Sequence, residues 1–111
     1  MPNQKSLSLS VAAKSALAVL GQLIKAARLE RGMSQVDLAE RVGVSRHTIM
    51  AIEKADPKVA IGAVLEAAAV LGLPLLAEDT RSLNKLAGTV AHLATLLPAR
   101  STRKPELDDD F

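Results

Sequence analysis

The chain has 111 residues, nearly half of them apolar, with no cysteine and one aromatic residue, Phe111. That length suits one domain with tails. The composition excludes disulfides and thiolate metal sites and demands an aliphatic core. The net charge of +2 is unevenly placed: residues 1–19 carry Lys5 and Lys14 and no acid, whereas Asp108–Asp110 make the extreme C-terminus acidic. A mildly basic N-terminal half suits nucleic acid.

No apolar run reaches the ~18–20 residues that span a bilayer, and Lys14 interrupts the stretch Val11–Leu20. A cytoplasmic protein without signal peptide or membrane segment is therefore expected. His47 and His92 are too few and too scattered for a metal site, and no cofactor is expected. Alanine and leucine dominate and β-branched runs are short, which predicts an all-α class.

Residues 1–10, MPNQKSLSLS, are turn-like and then alternate serine with leucine. Residues 1–18 read as an N-terminal arm. It is either frayed or, with Leu7, Leu9 and Val11 on one side, a strand. Helical patterning begins within Ala12–Ala18. Leu20, Leu23, Ile24 and Ala27 then recur at helical spacing and predict one buried stripe, closed by Gly32.

Ser34 is a good N-cap for a second helix, with Met33 and Leu38 at the two positions of a hydrophobic staple. Its inward residues are Leu38, Ala39 and Val42. Gly43 can take positive φ at low cost. Ser45 then caps a third helix with Val44 and Ile49 as its staple, Ile49 and Ile52 inward, and Pro57 beyond its end. A fourth helix is predicted from about Ala60 to Leu71, with Ile61, Val64, Leu65 and Ala68 inward and Gly72 closing it. Pro74 opens a short fifth helix over Leu75–Asp79, which ends the domain spanning 19–79.

A C-terminal helix follows over 80–97. Its Leu83, Leu86, Val90, Leu93 and Leu97 alternate three- and four-residue intervals, as in a narrow seam. That seam packs either on its own domain or between two copies of the chain. Residues 98–111 lack periodicity and read as a disordered, finally acidic tail.

Two short capped helices joined by a three-residue turn with glycine have the pattern of a helix-turn-helix. Residues 20–73, and above all MSQVDLAERVGVSRHTIMAIEK, resemble the Cro/phage-repressor type helix-turn-helix, the XRE family. The resemblance implies a five-helix lambda-repressor-like DNA-binding domain, not an enzyme, with the third helix as recognition helix. It places Arg46 and His47 at base edges of double-stranded DNA, with Thr48 and Ala51 further along the same face. Arg46 can donate two hydrogen bonds to guanine. Gln35 is implied to hold a phosphate and to brace the recognition helix. Ser45 is implied to offer a phosphate its hydroxyl or N–H, and around the turn ADPK the side chains of Lys54 and Lys58 can contact phosphate by their charge. Arg28 and Glu53 resemble the family's internal ion pair.

Reading a few base pairs per copy implies a homodimer on a palindromic operator. The ending RKPELDDDF is similar to the HipB-like antitoxin branch, whose members repress their own operon and bind a HipA-like kinase toxin. Alternatively, Asp108–Asp110 only solubilise the tail. Two departures from the family pattern stand out: Ala60 where a capping serine or threonine is usual, and the turn ADPK in place of one containing glycine.

Overall fold

In a computed structural model, residues 8–98 are described, and they form five helices with no strand among them. These are α1 (Val11–Glu30), α2 (Gln35–Val42), α3 (Arg46–Glu53), α4 (Ile61–Val70) and α5 (Thr80–Thr95). The chain divides into two compact units, one through Leu73 and one from Pro74 onward. The first holds α1–α4 and the second holds α5. No helix among the described residues is long and apolar enough to cross a membrane.

Each helix of the first unit starts and stops on local chemistry. Ser10, Ser34 and Ser45 cap α1, α2 and α3, their hydroxyls accepting from the N–H groups of Ala13, Asp37 and Thr48 at 3.1, 3.0 and 3.2 Å. At α2 the Asp37 carboxylate returns a bond by accepting from the Ser34 N–H at 3.1 Å, which completes a capping box. That backbone bond is the main reason the Asp37 carboxyl is held below the usual aspartate range. Ala60 precedes α4 and makes no side-chain cap bond.

All four helices end in one motif. A residue at positive φ (Gly32, Gly43, Ala55, Gly72) reverses the chain. The next N–H then reaches back to a carbonyl of the last turn: Met33 to Arg28 at 3.0 Å, Val44 to Ala39 at 3.0 Å, Asp56 to Ala51 at 3.0 Å, and Leu73 to Ala68 at 2.8 Å. Ala55, at φ 63°, is the only one of the four that carries a Cβ. The left-handed region is disfavoured for such a residue. Ala55→Gly is therefore expected to raise stability by about 0.5–1 kcal/mol, the relief of strain exceeding the added freedom of the unfolded chain. A urea midpoint that falls, or does not move, would show that the turn is unstrained.

The core is one aliphatic cluster drawn from all four helices: Ile24 and Ala27, Leu38 and Ala39, Ile49 and Ile52, Ala67 and Leu71. Met33 and Val44, the first members of the two staples, pack against it half-buried. Several expected core positions lie outside it. Leu23 is 47% exposed, and on α4 Ile61 and Leu65 are 75% and 47% exposed while Ala67 and Ala68 are buried. Those three side chains stand exposed on α1 and α4 although their spacing is that of an inward face.

Three boundaries differ from expectation. Residues 11–18 are helix, so Val11 is not in a strand; Ser10 caps the run, and the high helix propensity of Ala12, Ala13, Ala16 and Ala18 prevails over the serine–leucine alternation. Leu7 lies outside the described residues. No short helix forms over Leu75–Asp79; its last residue, Asp79, is extended (φ −150°, ψ 174°) and caps α5 by accepting from the Ser82 N–H at 2.7 Å. Finally, α5 stops at Thr95, so Leu97 falls beyond it, next to Pro98, where helical backbone is disfavoured. Within its own unit, α5 carries exposed Leu83, Leu86, Val90 and Leu93 along one face. The tail 99–111, with Asp108–Asp110 and Phe111, lies outside the described residues.

Candidate nucleic-acid interface

The α2–turn–α3 unit is built so that one side of α3 stays free. Ile49 and Ile52 face the core, fully or almost fully buried. Residues 46 and 47 occupy the first turn on the outer side, and both are exposed. Lys54 caps the far end and is also exposed. An eight-residue helix is about 12 Å long, so these three side chains span roughly the width of the DNA major groove. No acid lies in the first turn of α3. Its one acid, Glu53, is turned inward and neutralised.

That neutralisation is the centre of the unit. Arg28 Nε donates to Glu53 Oε2 at 2.7 Å and Arg28 Nη2 donates to Glu53 Oε1 at 3.0 Å, a bidentate pair. Both side chains are nearly desolvated, 8% and 5% exposed. Arg28 Nη1 also donates to the Met33 carbonyl at 2.8 Å, tying the α1–α2 connection to the same guanidinium. The bonds to Glu53 raise the Arg28 pKa further above its already high value. Gln35 Nε2 donates to Glu53 Oε1 at 3.1 Å. The start of α2, the last part of α1 and the end of α3 thus meet on one carboxylate.

The remaining candidates separate into two groups. Ser45 and Thr48 are brought together: the Thr48 N–H donates to Ser45 Oγ, and the two hydroxyls lie 3.1 Å apart. The Thr48 hydroxyl is thereby engaged within the first turn. Ala51 is half-buried, and its carbonyl accepts the Asp56 N–H that closes α3. Lys58 lies in the next turn, where its N–H donates to Asp56 Oδ1 at 2.9 Å. Among the described residues no His, Cys, Asp or Glu cluster could hold a metal ion.

Sequence reasoning passed over Gly21. It is buried in the middle of α1, and a methyl group there would lie 2.7 Å from the Ile52 carbonyl oxygen and 3.1 Å from that of Glu53. The signal was a glycine inside a strongly helical run, which commonly marks a close approach of backbone.

The four-helix unit and its α2–turn–α3 arrangement define a helix-turn-helix domain. Residues 24–77 match the protein-family model described as Helix-turn-helix. A protein of Methanothermobacter thermautotrophicus described as an uncharacterized HTH-type transcriptional regulator is 59% identical over 32 residues, 29% of this chain and 46% of that relative. The match therefore spans less than half of that relative's length. Residues 24–77, just under half of the chain, are thus similar to helix-turn-helix domains.

Proposed function

We propose that the chain is a sequence-specific DNA-binding repressor that acts as a homodimer on a palindromic operator. The observation that carries this reading is α3 itself: its apolar side is locked into the core, its one acid is buried against Arg28, and Arg46, His47 and Lys54 are left on the exposed surface. In this reading Arg46 reads a base, and Gln35, Ser45 and Lys54 meet phosphates. The Gln35 amide carries two N–H groups, so one can meet a phosphate while the other braces α3 through Glu53. The test is binding to duplexes selected from a random pool, across a salt series and against single-stranded RNA. Failure to select any sequence would remove the repressor reading.

The exposed Leu83, Leu86, Val90 and Leu93 on one face of α5 support the dimer. Light scattering at micromolar concentration is expected to return twice the monomer mass; a monomer would sink the two-copy operator. The ending RKPELDDDF supports a narrower role, autoregulation of its own operon as the HipB-like antitoxin of a HipA-like kinase toxin. In that role the acidic end docks a basic protein surface, because it repels DNA. The alternative is a stand-alone repressor without a toxin. Co-purification with the product of the neighbouring gene separates the two.

A further inference from the structure

We infer that Gly21 is a positioning residue for DNA reading: it sets how deeply the C-terminal end of α3 seats against α1, and hence where Arg46 and His47 are presented. The inference rests on the reading of α3 as the recognition helix. A methyl at Gly21 would meet the Ile52 carbonyl oxygen at 2.7 Å and the Glu53 carbonyl oxygen and carbon at 3.1 and 3.3 Å. All three atoms are backbone, so no side-chain rotation relieves the contact. Cβ contacts essentially never fall below 3.0 Å and ordinary contact begins at 3.4 Å, so α1 and α3 must move apart by roughly 0.3–0.7 Å.

The chain around this point leaves α3 few other ways to yield. Glu53 is held by Arg28 and Gln35. The carbonyls of Ala51 and Ile52 are held by the N–H groups of Asp56 and Ala55 at 3.0 Å each. The end of α3 is thus fixed in its own geometry, and added bulk at Gly21 displaces the helix as a body. Hydrogen bonds to base edges tolerate only a few tenths of an ångström before they weaken. Phosphate contacts made by long lysine side chains absorb such a shift.

Gly21 therefore differs from the other helical glycines. A methyl at Gly62 of α4 or Gly88 of α5 meets nothing within 4 Å. Gly62→Ala is the control of equal volume change, and it favours helix.

The experiment compares wild type, Gly21→Ala and Gly62→Ala on a duplex selected from a random pool by the wild-type protein and on a scrambled duplex, well below the melting temperature. Gly21→Ala is expected to lose about tenfold in affinity for the selected duplex, comparable to one base contact. Binding to the scrambled duplex and the salt slope are expected to stay unchanged, and Gly62→Ala is expected to behave as wild type on both. The same substitution in an Ala55→Gly, Gly62→Ala background guards against simple loss of folding.

An unchanged ratio of selected to scrambled affinity in a folded Gly21→Ala protein overturns the inference. So does a chain that fails to fold in either background, since Gly21 would then serve the fold and not the placement of α3. A wild-type protein that selects no sequence overturns the DNA-reading proposal itself, a result distinguishable from both.

Discussion

Glu53→Ala is expected to destabilise the helix-turn-helix unit by about 3–5 kcal/mol, the cost of stranding one partner of a desolvated pair. The loss has three parts. Arg28 keeps its charge, at 8% exposure, with only the Met33 carbonyl left to accept from it. Gln35 loses the acceptor for its amide. The end of α3 loses both of its links to α1 and α2 through that carboxylate. Small domains have about 5–15 kcal/mol in all, so a large share of the molecules should unfold at moderate temperature. Urea unfolding followed by circular dichroism measures it. A change below about 1 kcal/mol would mean that water solvates the pair and that it behaves as a surface salt bridge. Replacing Arg28 and Glu53 together by apolar residues of similar volume should cost far less, because no charge is stranded.

The second large effect concerns binding. Arg46→Ala should weaken the operator complex by about 1–3 kcal/mol and relax the preference at one base pair of each half-site. Arg46→Lys should restore charge without restoring that preference, since an ammonium cannot make the two-pronged contact. Gln35→Ala should instead weaken binding evenly across sequences. Repeating the selection with each variant distinguishes the two patterns. If the sequence chosen by Arg46→Ala matches that of wild type, α3 lies in the groove in a different register.

What could be read from the residues alone was whatever is decided within a few positions of the chain. Ser34, Ser45, Gly32, Gly43 and Gly72 each act on a turn they belong to, and each is legible as a cap or a reversal. The inward positions Ile24, Leu38, Ile49 and Ile52 follow from helical spacing. What was not legible depends on a distant neighbour. Leu23, Ile61 and Leu65 have the spacing of a buried stripe, but a stripe is wider than the surface one neighbouring helix covers. Gly21 matters only because the carbonyls of Ile52 and Glu53 come to rest against it. The turn ADPK was recognised as a departure from the family's glycine-containing turn. Alanine does not announce a left-handed backbone, and so the strain at Ala55 emerges only in three dimensions. For the interface, the exposure of Arg46 and His47 was implied by the motif. The pairing of the Ser45 and Thr48 hydroxyls was not, because Ser45 is read as a cap and phosphate contact and Thr48 as part of the outward face.

The shared ending of α1, α2, α3 and α4 bears on how quickly this unit reaches its native state. Each reversal is completed by a bond between residues five apart, so where each helix stops is encoded locally. Eight-residue helices such as α2 and α3 are marginal alone, so they gain their stability as the four helices dock. Little entropy is spent closing large loops before contacts form, and chains of this kind fold on microsecond to millisecond timescales. Fast docking leaves few chains lingering with Ile24, Leu38 and Ile49, all buried in the native core, open to aggregation.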